Sequence, residues 1–314
     1  MRIGLVIDSV CDLPRSYIER NHIEILPITV QIGDAIRADH RDEKQTLDFL
    51  HSHVAERGAE AETMPFSVQD IHDLFLKKLV LDYDHVFCLT VTKSRSQVYE
   101  NAMQASYAIL NDYKPIRAAA GITTPFALRV MDTQNLFAAQ GVTAVEAVRM
   151  IQAGEGVAKI RARLDNLAIN THGYMVPRDL MYLRTQTRLR GDKSVSLFSA
   201  TLGSALDIKP VLYCNRGDTK PVAKIRTFEA ACRRLFDHAS ERVRIGLMTK
   251  TMCLSFGGEL EEMRLLPGYQ SLIDTCREHG VEVFESVMSL TGMIKVGKGS
   301  LAMGFASDPH DFKD

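Results

Sequence analysis

The chain has no Cys-x-x-Cys pair, no apolar run of about 18 residues and no excess of charge of either sign, and each absence removes a class of protein. Thirty-eight Lys and Arg stand against 39 Asp and Glu, a formal net charge of −1. Bulk attraction to nucleic acid or to an anionic membrane needs a net basic surface, so neither is expected as a partner. The six cysteines (Cys11, Cys88, Cys214, Cys232, Cys253 and Cys276) are scattered. Without paired spacing they read as reduced thiols, buried as small hydrophobes in a cytoplasmic protein. Only four or five apolar residues precede Asp8, too few for a signal-peptide core, and no integral membrane segment is expected. What is present is a 46% hydrophobic composition, ample for a large core. At roughly 150 residues per domain, the length of 314 suggests about two domains.

Residues 3–7 form a continuous apolar run, β-branched at three of five positions, as in a parallel strand buried on both faces. Asp12 then caps a helix entered through Pro14, where a missing N–H is harmless. A second run, residues 23–32, is broken by Pro27, which demotes part of it to an edge strand or bulge. Residues 34–44 read as loop, and 47–54 and 68–81 as helices. Further strands are expected at 85–91 and 128–131, and helices from about 97 to 111 and from 140 to 152. This β-α alternation argues a parallel sheet flanked by helices. The stretch 153–156, with two glycines, marks a domain break. Beyond it, strands are expected at 167–175, 208–214, 221–226, 244–248, 281–285 and 300–305, and helices at 228–240 and 258–277, the last interrupted near Pro267-Gly268. The expected fold is α/β in two units: residues 1–156, with a parallel sheet flanked by helices, and residues 157–314, mixed α/β.

Polar groups recur where buried strands end: Asp8-Ser9, the hydroxyls Thr92, Ser94 and Ser96, and Asp132-Thr133. In open parallel sheets ligands bind beyond the carboxyl ends of strands, so these groups share a candidate crevice. Each also has a plain reading as a helix or turn cap. Asp8 as a phosphoryl-accepting nucleophile lacks the second acid two residues on, where Val10 stands. Arg178, Arg184, Arg188, Arg190 and Lys193 form a basic cluster, of which one turned inward would pair with an anion. Residues 297–300 lack GxxxxGK[ST], and their glycines fit a tight turn or close backbone approach. His51 and His53 are not spaced as a helical metal pair, and His172 stands alone in a strand. No metal site, cofactor motif or nucleophile–base pair is legible.

Taken in order, several segments are similar to one family. Ile7-Asp8-Ser9-Val10-Cys11-Asp12-Leu13-Pro14 resembles an opening Asp-Ser-x-x-Asp-Leu-Pro signature, and Ile25-Leu26-Pro27-Ile28 a second-strand motif. Leu180-x-Tyr182-Leu183 with Arg188-Leu189, Asp207-Ile208-Lys209-Pro210-Val211-Leu212, Ile225-Arg226-Thr227 and Val296-Gly297-x-Gly299 follow. Together they resemble the DegV family, bacterial fatty-acid-binding proteins that serve as the acyl-carrying subunit of fatty acid kinase.

The resemblance implies a non-enzymatic carrier that buries one acyl chain in a tunnel between its two domains. The carboxylate would be presented to a separate ATP-dependent kinase, which makes the acyl phosphate. By position, Thr63, Ser96 and Lys295 would bind the carboxylate, Lys295 standing where the family commonly has histidine. Arg188, Asp8 and Ser9 would be anion or partner contacts. Two other readings remain open at this stage: a small-metabolite enzyme using Asp8 or Asp132, and a ligand-free interaction module.

Overall fold

The computed structural model describes residues 1–51, 61–189 and 207–312, with the backbone only for 187–189. The first apolar run forms the strand Ile3–Asp8, buried at all but its first position. It lies between Glu24–Leu26 and His85–Thr90, and the latter pairs with Ala127–Asp132, giving a four-stranded sheet that is parallel throughout. Strands covered on both faces need apolar side chains at successive positions, which is why Ile3–Asp8 and His85–Thr90 do not alternate. Helices Val68–Lys78 and Val98–Ala119 pack on one another beside this sheet.

Pro27 does more than blunt an edge. Glu24–Leu26 is the edge strand of the parallel sheet, but Ile28–Ile32 is the centre of a second, antiparallel sheet, between Ala35–Asp39 and Ala61–Pro65. The chain changes sheets at the residue that cannot donate to a ladder. The expectation of loop at 34–44 is therefore corrected. Gly33, with φ +56°, turns the chain into Ala35–Asp39, whose exposed Ile36 and Arg37 lack the alternation that marks a half-buried strand.

The C-terminal part holds a six-stranded mixed sheet in the order Asp218–Arg226, Ile208–Asn215, Thr171–Val176, Leu301–Ala306, Thr251–Phe256, Glu282–Val287. All neighbours are antiparallel except the last pair. Between this sheet and the parallel one runs the helix Ala138–Gln152, with ten of its fifteen residues buried, most of them small. The close approach has a visible cause. Gly173 and Gly304 are cross-strand partners, and a Cβ on Gly304 would lie 2.2 Å from the Ala139 Cα. Bare backbone at that pair lets the helix rest directly on the sheet. The main apolar core spans both sheets and this helix, from Leu5 and Phe87 to Phe284 and Met293. A second core lies under Phe228–Ile245 on the far face of the mixed sheet.

Three further boundaries differ from the sequence expectation. Helix Val98–Ala119 continues well past Asn111. Its last turn is anchored by buried Arg117, which donates to the carbonyls of Val80, Tyr83 and Thr124 and to Asp84. Residues 167–170 belong to the helix Val157–Asn170, whose buried Ile160, Leu164, Leu167 and Ala168 have helical spacing, and the strand begins at Thr171. Residues 244–248 are not a strand. Helix Phe228–Ile245 ends at Gly246, with φ +122°, and the buried strand is Thr251–Phe256.

Candidate functional site

The first strand delivers Asp8 to its carboxyl end, where it is completely buried. Its Oδ1 accepts from the Val10 N–H (3.0 Å) and the Gln140 amide (3.3 Å), and its Oδ2 from the Val91 N–H (2.5 Å). Burial pushes its carboxyl up to about 6, and those donors restrain the rise. Ser9, also fully buried, uses its hydroxyl to accept the Ile28 N–H (3.1 Å), just past the sheet switch.

Asp12 does not cap the first helix. Pro14 occupies that position in Arg15–Arg20, with no side-chain cap. Asp12 Oδ1 instead lies 3.1 Å from Arg41 Nη1 and accepts the Ser289 N–H at 2.9 Å. Arg41 is itself buried and donates to the Leu13 and Val287 carbonyls. Asp39 accepts the Arg41 N–H, and its other oxygen takes both the N–H and hydroxyl of Thr291 at 2.8 Å. Two carboxylates from the N-terminal part thus hold the start of helix Leu290–Val296, where unpaired N–H groups favour negative charge.

That helix carries half-buried Lys295 and packs on the antiparallel sheet. Leu290 and Ile294 meet Val30 and Ala61 in a small apolar cluster. Thr63 is half-buried, pairs with Val30, and shares the Ala61 side of its strand by the two-residue period. The elements bearing Thr63 and Lys295 are therefore brought together. Helix Leu180–Leu189, which carries Arg188, packs on the Lys295 helix, with the Tyr182 hydroxyl donating to the Ile294 carbonyl at 2.9 Å. The side chain of Arg188, and all of Arg190, Lys193 and His53, lie outside the described residues.

Ser96 sits half-buried in the turn between His85–Thr90 and the helix from Val98, and its hydroxyl accepts the Val98 N–H at 3.3 Å. The Asn101 amide of that helix donates to the Phe66 carbonyl (2.8 Å), tying the Ser96 helix to the residue after the Thr63 strand. Thr92 and Ser94 face elsewhere. Ser94 donates to the Gly217 carbonyl (2.7 Å) in a hairpin of the mixed sheet, and Thr92 Oγ1 lies 3.1 Å from Ser94 Oγ. Asp132 is half-buried, accepts the Gln134 N–H and is raised by desolvation. The turn at Gly297 and Gly299, both at positive φ, closes against the Tyr182 ring and Arg178, as a close-approach turn requires.

Sequence reasoning missed two clusters. The Asp39–Arg41 contribution lay in the stretch read as loop, and no spacing marks it. The other joins His172, His238 and His310, which are far apart in sequence. His172 bonds the Tyr213 hydroxyl (2.7 Å) and the Ser307 carbonyl (3.1 Å), and the Tyr174 hydroxyl meets His238 (3.3 Å) and His310 (3.0 Å). Burial lowers all three, His172 to about 4 and His238 to about 3. All six cysteines are buried and form no disulfide. Among the described residues no group of three or more His, Cys, Asp or Glu is arranged to hold a metal ion, and no helix is long and apolar enough to cross a membrane.

Comparison with known proteins gives the family and the fold. A DegV domain-containing protein of Xanthomonas campestris is 64% identical over 312 residues, covering 99% of each chain. A DegV lipid-binding protein from Thermotoga maritima has a similar structure at 22% identity, with a TM-score of 0.75 and all of both chains covered. The Streptococcus pneumoniae Fatty Acid Kinase B3 protein, solved loaded with linoleic acid, is 17% identical at TM-score 0.71, covering 98% of this chain and 100% of its own. At such identities the two structures establish the fold. The family model described as "Uncharacterised protein, DegV family" matches residues 2–308, and the chain belongs to the DegV family.

Proposed function

We propose that this protein binds one long-chain fatty acid, holds its carboxylate near Thr63, Ser96 and Lys295, and presents it to a separate ATP-dependent kinase. The observation that carries the reading is the meeting of the Thr63 strand with the Lys295 helix over the apolar cluster of Val30, Ala61, Leu290 and Ile294. A cation and a hydroxyl at the border of an apolar surface suit an amphiphile. Each buried CH₂ contributes about 0.8 kcal/mol, and the carboxylate then needs a few charge-assisted donors. The acyl chain occupies a tunnel between units 1–156 and 157–314, and the protein acts in the cytoplasm as a carrier without chemistry of its own. The kinase partner is suggested by the fatty acid kinase protein of similar fold. Arg188 lies on a helix packed against that of Lys295 and serves as a partner or anion contact. Asp8 and Ser9 frame the site: their polar atoms are engaged with the backbone, which disfavours the enzyme reading based on Asp8.

The test is oleate titration of the wild type against Ser96→Ala, Thr63→Val and Lys295→Met. Each is expected to weaken binding by roughly 1–3 kcal/mol, the cost of leaving an anion short of one donor. Affinity unchanged in all three would remove these residues from the site.

A further inference from the structure

The outer edge of the mixed sheet carries a groove unrelated to the Thr63–Lys295 region. Strand Asp218–Arg226 pairs with Ile208–Asn215 on one side, and among the described residues its other side carries no strand. Which backbone groups face that open side follows from the register. The Thr227 N–H donates to the Asp207 carbonyl at 2.9 Å, so this pair is hydrogen-bonded. Antiparallel pairs alternate between bonded and non-bonded, which makes Arg226–Ile208 non-bonded, Ile225–Lys209 bonded and Lys224–Pro210 non-bonded. Pro210, with no N–H, sits where none is needed. The N–H and C=O of Lys224 and Arg226 therefore point outward, two residues apart, as an incoming strand requires.

Beside this edge, the hairpin and the helix Phe228–Ile245 enclose an open hollow of about 710 Å³. Its strand wall is residues 221–225, about 16 Å of extended chain, enough to lie along a peptide of five or six residues. Its helix wall is Ala230, Arg233, Arg234 and Asp237, one face at three- and four-residue spacing. Half-buried Val222 and Ile225 supply apolar contact, while Lys224, Arg233 and Arg234 outnumber the single acid Asp237. Arg233 is 69% exposed and meets Asp237 only at 3.9 Å.

We propose that this groove docks an extended acidic peptide segment of a protein partner, added to the mixed sheet as a further strand against Asp218–Arg226. Main-chain bonds to Lys224 and Arg226 would give register, and Arg233 on the helix wall would select acidic side chains. A second copy of this chain is disfavoured as occupant. Two-fold edge-to-edge pairing runs antiparallel and, centred at Ile225, would set Lys224 against Arg226 of the other copy or, centred at Ala223, Lys220 against Arg226, and like charges across a strand pair are destabilising.

The experiment uses the full chain and fluorescein-labelled hexapeptides in which glutamate alternates with valine, leucine or tyrosine, with lysine-for-glutamate controls. Fluorescence anisotropy at low salt is expected to show saturable binding of a glutamate peptide, at least ten-fold weaker in Arg233→Glu. Lys224→Pro deletes an outward N–H that the sheet does not use. It should weaken binding as strongly, with an unfolding temperature within a few degrees of wild type. Hydrogen exchange at the Lys224 and Arg226 amides should slow on peptide addition. No binding of any glutamate peptide, equal binding of the lysine peptides, or binding indifferent to Lys224→Pro would overturn the proposal. So would a dimer in sedimentation velocity that Arg233→Glu abolishes.

Discussion

The seam around Arg41 and the cluster around His238 both bury polar groups away from water, by opposite means. At the seam, Asp12 and Asp39 take donors from Arg41, Ser289 and Thr291, and the arrangement depends on a guanidinium that is always charged. In the histidine cluster, packed aromatic rings and tyrosine hydroxyls accommodate imidazoles that burial keeps neutral. The first ties the helix of Lys295 to the N-terminal sheets. The second ties residues 307–312 to the outer face of the mixed sheet, where Phe312 packs on Tyr174 and His238. One cluster is held by charge and the other by its absence, so they should answer differently to mutation and to acid.

The largest effect is expected at the seam. Arg41→Ala leaves fully buried Asp12 without its cation, and breaking a buried pair costs about 3–5 kcal/mol. Urea unfolding at pH 7 measures this, and a loss under about 1 kcal/mol would show that water replaces the guanidinium at no penalty. Next comes acid acting on the histidines. Their folded-state values lie below the ordinary 6.5, so the native state binds fewer protons than the unfolded one. The stability they confer is complete above pH 6.5 and is lost as pH falls toward 4, about 3 kcal/mol for each of His172 and His238. His238→Phe should remove one share of that loss while leaving stability at pH 7 within about 1 kcal/mol, as read from unfolding midpoints at each pH.

Asp8 runs the other way and sharpens the contrast. Its value of about 6 lies above the ordinary carboxylate, so the native state holds the extra proton and gains stability as pH falls from about 6 toward 4. The gain is about 2 kcal/mol, partly masking the histidine loss. Asp8→Asn should abolish it and steepen the acid loss of the whole protein. An unchanged pH profile would mean that Asp8 keeps its ordinary value despite complete burial.

The contrast also marks what the sequence could disclose. The parallel sheet was legible because strands buried on both faces write themselves as unbroken apolar runs, as residues 3–7 and 86–89 do. The mixed direction of the C-terminal sheet and the break at Pro267-Gly268 were legible too. Strand Ala35–Asp39 was not, because an exposed strand with Arg37 and Asp39 has the composition of a loop. The strand at 251–256 was missed because the apolar residues Ile245, Leu247 and Met248 drew the assignment, and these are the helix end and the connection after Gly246. Thr63, Ser96 and Lys295 are proposed from motif order, and the structure joins the elements that carry them through the Asn101–Phe66 bond and the packing of helix Leu290–Val296. Arg41 and the three histidines could not be found, since the partners of the Arg41 guanidinium are 28 to 246 residues away and the tyrosines that bond the histidines 41 to 136.

Native mass spectrometry of the freshly purified protein, followed by solvent extraction, tests the carrier reading most directly. The account predicts one added mass per chain that extracts as a fatty acid. No added mass, together with no rise in unfolding temperature on adding oleate or palmitate, would contradict it, since a ligand that binds only the native state must raise apparent stability.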